Sequence, residues 1–125
     1  MSHWTRCQTV IKDLSLLEKA AKKLGVKVTR GKDLKLESIY QESQDAVMLM
    51  KHKDGQAGIV KTKSGYEMVV DNFYNPVTDL LGNDCTLLGR EYSKLLVEQQ
   101  AMMMGGMVTH STITENGSVE MTITL

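Results

Sequence analysis

Aromatic residues are scarce in this sequence: they make up 5% of its 125 residues, with one tryptophan, one phenylalanine and a single proline. Hydrophobic residues still reach 42%, so a buried core is expected, built mainly from aliphatic and methionine side chains. The length is close to the commonest size of one domain, and we expect a single domain over residues 1–125. The nine methionines are pliable side chains that serve either as core filler or as an adaptable binding face.

Long apolar segments are also missing. No run approaches the roughly 20 apolar residues that cross a bilayer, and the N-terminus lacks the apolar stretch of a secretory signal. The two cysteines, Cys7 and Cys85, form no recognisable disulfide framework. We therefore expect a cytoplasmic protein with reduced thiols and no membrane association.

The formal net charge is zero, which gives little long-range attraction toward nucleic acid or an anionic membrane. The charges are nevertheless uneven. Residues 1–35 hold nine basic and three acidic residues, hence +6, and the other 90 residues hold six basic and twelve acidic residues, hence −6. This basic block, which includes Lys22 and Lys23, is either a solvated face or a patch for an acidic partner, including a second copy of the chain.

Hydrophobic periodicity predicts strand, helix and strand at the start of the chain. Apolar and polar residues alternate over residues 4–11. Asp13 is a suitable N-cap, and helical spacing then runs to Leu24, where Gly25 suits the first position after the helix. Residues 26–29 resemble a short strand, whereas residues 30–45 are expected to be loop with marginal structure.

Three strands are expected between residues 46 and 71, because Asp54-Gly55 and Ser64-Gly65 are hairpin turn signals. With these dipeptides at the turn centres, Met50 pairs with Ile59, Leu49 with Val60, Val60 with Val69, and Ile59 with Val70. Both turns then align apolar side chains across the three strands.

The last third is predicted to contain a loop over residues 71–83, a second helix and a hairpin. Asp84 or Thr86 is a suitable helix cap, and Gly105-Gly106 ends the helix. Asn116-Gly117 favours a tight turn that places His110 opposite Ile123, Thr112 opposite Met121, and Thr114 opposite Val119.

These elements predict an α+β fold with a mostly antiparallel sheet and two helices on one face. The expected topology is a ferredoxin-like β-α-β start, a central meander and a C-terminal hairpin.

Motifs for catalysis, metals and cofactors are weak. His3 and Cys7 are four apart on an extended segment, about 13 Å, which is too far for one zinc ion. The glycines form no phosphate-binding pattern, so we expect no metal and no cofactor. A thiol- or histidine-dependent enzyme would depend on Cys85, near a helix N-terminus, or on His110; both residues have ordinary structural explanations.

Two sets of residues are candidates for binding. A helix cannot bury three consecutive side chains on one stripe, so Met103 and Met104, in the run of methionines from residue 102, indicate either a protein contact or a helix end beneath the last hairpin. Trp4 and Arg6 on one strand face, or Tyr66 near Lys63, are the residues that an RNA-binding sheet would use.

Several segments resemble a known family. The start Met1-Ser2-His3-Trp4-Thr5, the middle strand Gly65-Tyr66-Glu67-Met68-Val69-Val70-Asp71 and the tail Asn116-Gly117-Ser118-Val119 are similar to the chloroplast hypothetical reading frame thirty-five family. Its members occur in plastids, cyanobacteria, other bacteria and phages. Further matching segments are Thr9-Val10-Ile11-Lys12-Asp13 and Leu16-Leu17-Glu18-Lys19-Ala20.

The resemblance implies a small accessory protein without established catalytic residues, located in the cytoplasm, the plastid stroma or the host cytoplasm of a phage. Some relatives look like companions of an AAA-type ATPase. Many relatives are rich in tryptophan after the middle strand, whereas this chain has Asn72-Phe73-Tyr74-Asn75-Pro76, which weakens an aromatic contact surface there.

Together these observations favour a non-enzymatic protein-interaction module that binds a protein partner or itself. The alternative is a small-ligand or RNA-binding domain that uses the sheet face near Trp4 and Arg6.

Overall fold

The computed structural model describes residues 4–6, 11–37, 42–63, 65–113 and 119–124. Two long helices and seven strands form most of this part of the chain, together with a one-turn helix and a 3-10 turn. In chain order they are β1 (Trp4–Arg6), α1 (Leu14–Lys23), β2 (Lys27–Leu36), β3 (Gln44–His52), β4 (Gly55–Thr62), β5 (Gly65–Asp71), α2 (Thr78–Leu81), the 3-10 turn (Asn83–Cys85), α3 (Thr86–Met103), β6 (Met107–Ile113) and β7 (Val119–Thr124).

The main sheet has the strand order β1-β5-β4-β3-β2, and each neighbouring pair is antiparallel. β6 and β7 pair separately as a two-stranded antiparallel sheet. The predicted α+β class, with a mostly antiparallel sheet and two helices, is therefore confirmed, as is the central meander β3-β4-β5. The ferredoxin-like start is wrong, because β1 and β2 flank α1 in the chain but lie at opposite edges of the sheet, with three strands between them.

One face of the sheet packs against both long helices and forms the main core. Tyr92 of α3 is 2% exposed, and its hydroxyl accepts hydrogen bonds from the backbone N–H groups of Lys12 and Asp13, at 3.2 and 3.3 Å. This side chain fixes α3 against the start of α1. Residues of both helices and the sheet share the core: Leu17, Ala20, Ala21, Met48, Met50, Ala57, Ile59, Met68, Val70, Leu88, Tyr92 and Leu95. Met48, Met50 and Met68 thus act as core filler.

The other face of the sheet is covered in part by the chain itself. β3 pairs with β4 only from Met48 onward, while its first half pairs with the end of β2 beyond an irregularity between Arg30 and Leu34. This paired part of β2 and β3 beyond the irregularity, which we call the β2–β3 arm, folds across β4. A Cβ on Gly58 would lie 3.1 Å from Leu36, and Glu37 N–H donates to Gln56 Oε1. A second, smaller core results from Leu36, Ala46, Leu49 and Val69, with Trp4, Leu34 and Val60 beside it.

The start of α1 and the C-terminal ends of both long helices follow capping chemistry. The Asp13 carboxylate accepts from Leu16 N–H at the start of α1, and Gly25 follows the helix at φ +98°. At the end of α3, Gly105 N–H donates to Met102 O and Gly106 N–H to Ala101 O, the two bonds of a Schellman motif. The predicted caps of α3 are wrong: Cys85 occupies the N-cap position, in a left-handed conformation, without a side-chain capping bond.

The predicted hairpin registers are wrong by two residues. Met50 pairs with Ala57 rather than Ile59, and Val60 with Glu67 rather than Val69. The turns lie one residue earlier than expected, because each glycine is the first paired residue of the next strand: His52 pairs with Gly55, and Thr62 with Gly65. A slip of two residues leaves every side chain on its original face, so the predicted core residues are unaffected.

Three further expectations change. Residues 30–36 belong to β2, not to a loop, and the loop 71–83 contains the one-turn helix α2. In the last sheet His110 pairs with Thr122, Thr112 with Glu120, and Ile113 with Val119, one residue from the predicted register. The predictions for His3, Cys7, Ser64 and the Asn116-Gly117 turn concern residues outside the described part of the chain. In the described part, no helix is long and apolar enough to cross a membrane.

Candidate protein-interaction surfaces

Four methionines between the end of α3 and the start of β6 are exposed, and we call them the methionine end: Met102, Met103, Met104 and Met107. Their exposed fractions are 76%, 82%, 61% and 66%, in that order. The alternative prediction, a helix end covered by the last hairpin, does not fit these values. Exposure on this scale is unusual for contiguous apolar side chains, which more often mark a contact site.

Local sequence explains why the methionine end is exposed. The Schellman motif turns the chain at Gly105, whose φ is +76°, and the Gly106 N–H to Ala101 O bond is 2.7 Å long. Glycine adopts this backbone at little cost. The helix therefore ends at Met103, with Met104 as its C-cap.

A second exposed apolar feature lies near the other end of α3, in residues 72–76, which we call the aromatic turn. Tyr74 is 85% exposed and Phe73 is 39% exposed. Their rings contact edge to face, with centroids 4.5 Å apart. Tyr74 has a φ of +47°, a left-handed conformation that is uncommon for a bulky residue.

Side-chain hydrogen bonds hold the aromatic turn in place. Asn75 Nδ2 donates to Gln56 O and to Asp71 O, both at 2.8 Å, and Asn75 Oδ1 accepts from Val77 N–H. The buried Asp71 carboxylate accepts from Phe73 N–H. The side chain of Asn72 bonds Asp84 in both directions, which ties the turn to the residues before α3.

The basic block is largely compensated within the molecule. Five of its nine cations form ion pairs, and three of their acidic partners come from the rest of the chain: Arg6–Glu67, Lys23–Glu91 and Lys35–Asp45. Lys22 and Arg30 both pair with Glu18. The charge asymmetry of the sequence is thus partly used in folding, which favours the solvated-face interpretation for these residues.

The predicted candidates Lys22 and Lys23 have different surroundings. Lys22 Nζ lies 2.8 Å from Glu18 one helical turn away, and this hydrogen bond lowers the pKa of Glu18. Lys23 Nζ lies 2.8 Å from Glu91 on α3, whose side chain is 13% exposed, and the hydrogen bond to Glu91 raises the pKa of Lys23. Lys23 therefore joins the two helices, while Lys22 remains a surface residue of one helix.

The predicted RNA-binding residues are occupied by structural contacts. The Trp4 indole N–H donates to Glu42 O at 3.1 Å, and the ring packs beside the second core, under the β2–β3 arm. Arg6 Nη1 forms an ion pair of 2.7 Å with Glu67 Oε2. Part of this sheet face is thus packed under the chain, while the side chains of Arg6 and Glu67 stay 53% and 37% exposed.

The two residues considered for chemistry lie on different elements. Cys85 is fully buried at the N-cap of α3, and His110 lies on β6, in the separate two-stranded sheet. Among the described residues, no group of three or more His, Cys, Asp or Glu side chains is arranged to hold a metal ion. Exposure in the methionine run was predicted from the sequence and is confirmed. Residues 72–76 were expected to form only a weakened aromatic contact surface, although their asparagines signal a built turn.

Comparison with known proteins yields no relative for this chain. No family model matches it, and neither curated proteins nor solved structures give a significant match. The resemblance to the reading frame thirty-five family therefore stays a hypothesis carried by the quoted segments.

Proposed function

We propose that this protein is a protein-interaction module, without catalytic activity of its own, that docks through the methionine end. The observation that carries the proposal is the exposure of four neighbouring methionines, between 61% and 82% each, on a turn fixed by backbone hydrogen bonds. Methionine is unbranched and polarizable, so a surface built from it adapts to the shape of a partner. Burial of such a surface on association is favourable because apolar area leaves water.

The described surface supports this role more than the RNA-binding alternative, since Trp4 and Arg6 are already engaged. The resemblance to the reading frame thirty-five family adds a proposed class of partner, an AAA-type ATPase. That step rests on sequence similarity alone.

Substitution at the methionine end tests the docking role. We expect M103A/M104A to weaken association by about tenfold or more, since two exposed apolar anchors are lost. The association to measure is the mass of the purified chain in solution and the capture of a tagged chain's partner from an extract of its own host. Folding should be unchanged, because both side chains face solvent.

The matched control is L87A. Leu87 is also an exposed apolar residue of α3, at 39% exposure, but it lies at the opposite end of the helix. Association that is equally weakened by L87A, or unchanged by M103A/M104A, would argue against the methionine end as the docking surface.

A further inference from the structure

In the aromatic turn, Tyr74 occupies an unfavourable backbone conformation without burying its side chain. Its φ is +47°, a left-handed conformation that asparagine or glycine adopts at lower cost than a bulky residue. The ring is nonetheless 85% exposed, so little core packing compensates for that cost. Strained residues of this kind concentrate at binding sites. The conformation holds an aromatic ring out in solvent, where it is available for contact.

The ring of Tyr74 is held in a defined position. The Phe73 ring meets it edge to face, with centroids 4.5 Å apart. The backbone on both sides is fixed, because the Asp71 carboxylate accepts from Phe73 N–H and Asn75 Nδ2 donates to Gln56 O. An aromatic pair on such a scaffold loses little conformational freedom when it is bound, which favours association.

The surroundings of the turn carry negative charge. Residues 64–89 contain four acidic residues and no lysine or arginine. Asp84 is exposed, and its Oδ1 accepts from Asn72 Nδ2 at 2.7 Å. Asp79 is also exposed, and its N–H donates to Pro76 O at 3.1 Å. In the part of the chain that the structure describes, no ion pair includes either aspartate.

The neighbouring hairpin does not cancel this charge. Its Gly55 packs against Asn75 and Pro76 of the turn. The two residues before it, Lys53 and Asp54, are exposed charges of opposite sign and offset one another. The charge beside the aromatic pair therefore stays negative.

A cation is the ligand that such a surface favours. The face of an aromatic ring attracts guanidinium and ammonium groups, and neighbouring carboxylates add charge-assisted hydrogen bonds. We propose that the aromatic turn docks an arginine- or lysine-rich segment of a partner protein. One cationic side chain of that segment lies against the ring of Tyr74, and its neighbours pair with Asp79 and Asp84.

This surface is separate from the methionine end. The aromatic turn precedes α3 and the methionine end follows it, and a helix of 18 residues is about 27 Å long. The inference therefore does not rest on the proposed docking role of the methionines, and the two can fail independently.

The test uses Phe73 as a reporter, because it is the one phenylalanine of the sequence. The chain is labelled with ¹³C in the phenylalanine ring, and a capped peptide of alternating arginine and serine is titrated while the ring signals are followed by NMR. We expect the signals to shift and saturate, with an affinity that falls as salt is raised. The same peptide with glutamate in place of arginine should cause no shift.

Variants separate the ring from the charges. Y74N removes the ring and should weaken peptide binding by about fivefold or more. Its midpoint of urea denaturation should be unchanged or higher, because asparagine tolerates the left-handed conformation. Y74F keeps the ring and should bind as the wild type does. D79N/D84N keeps the side-chain shapes and should weaken binding most at low salt, whereas M103A/M104A should leave it unchanged.

Several results would overturn the proposal. They are an unmoved Phe73 signal, equal shifts from the glutamate peptide, wild-type affinity in Y74N, or a stronger response to a proline-rich peptide without cations. A Y74N chain that unfolds at clearly lower urea would assign the ring to stability and would count equally against docking. If that chain does not fold at all, D79N/D84N decides the matter, since undiminished binding in it would remove the charge complementarity.

Discussion

The two ends of α3 both expose apolar side chains, but the fold holds them differently. At the start of the helix, the aromatic turn is fixed by the side chains of Asp71, Asn72 and Asn75, and Gly55 of the neighbouring hairpin packs directly against it. At the other end, the methionines follow a helix that is closed by backbone hydrogen bonds at Gly105 and Gly106.

This difference means that substitutions in the two regions should affect the stability of the fold to different degrees. The aromatic turn is tied to β4, β5 and the residues before α3, so changes to its scaffold should lower the stability of the whole fold. The methionine side chains face solvent, and their replacement should leave stability almost unchanged. A selective loss of binding is therefore interpretable at the methionine end, whereas the same loss at the aromatic turn would first need a stability control.

The largest expected effect comes from substitution of Gly55, which packs against the aromatic turn, and it is compared with substitution of Gly105 at the methionine end. A Cβ on Gly55 would lie 2.2 Å from Asn75 Oδ1 and 2.6 Å from Pro76 Cδ, so G55A should lower the free energy of unfolding by about 3 kcal/mol through overpacking. Gly105 has open space around its Cβ position but a φ of +76°, so G105A should cost only about 1 kcal/mol. Urea denaturation measures both, and equal losses would contradict the difference between the ends.

An intermediate effect is expected from the side chain that organises the aromatic turn. N75A removes two donated hydrogen bonds and one accepted bond, and it leaves the part-buried partners without them, so we expect a loss of about 2 to 3 kcal/mol. The matched control near the methionine end is Q100A, at an exposed helix position, which should change stability by less than about 0.5 kcal/mol.

Hydrogen exchange at the Val77 amide adds a local measurement to N75A. This N–H donates to Asn75 Oδ1, so its protection should fall more than that of the β4 amides. Unchanged protection at Val77 would show that the turn is held by packing against Gly55 rather than by the asparagine.

Much of the fold was predictable because local patterns decide it. Asp13 and Gly25 bracket α1 as capping chemistry predicts, and the meander keeps its predicted faces despite the register change. The register itself was not predictable from turn propensity, because Gly55 is required for close contact with Asn75 and Pro76, which are about twenty residues away. A glycine selected by tertiary packing looks, in sequence, like a glycine selected by a turn.

The partial covering of the second sheet face was the main feature that sequence could not reveal. It depends on the irregularity in β2 between Arg30 and Leu34, where Asp33 adopts a φ of +60°, and on contact between Leu36 and Gly58. Neither residue pair has a local signature. Exposure at the methionine end could be predicted from sequence, because helix geometry cannot bury three consecutive side chains on one stripe. The ion pairs of the basic block with Glu67 and Glu91 could not be predicted, because they depend on the three-dimensional arrangement.

The smallest expected effect tests the ion pair that holds α3 against α1. K23M keeps the apolar stem of the side chain but removes the cation from Glu91, and we expect a loss of a few tenths of a kcal/mol, because Lys23 is 58% exposed and screened by solvent. K22M is the control and should cost less, since Glu18 keeps Arg30 as a partner.

The folded-state pKa of Lys23 is raised above its ordinary value of 10.5, so the stabilisation is fully present below that value and is lost as the pH rises through the raised pKa. The stability difference between wild type and K23M should therefore be constant from pH 7 to about 10 and shrink above it, and a difference that shrinks toward acidic pH instead would assign the effect to another group.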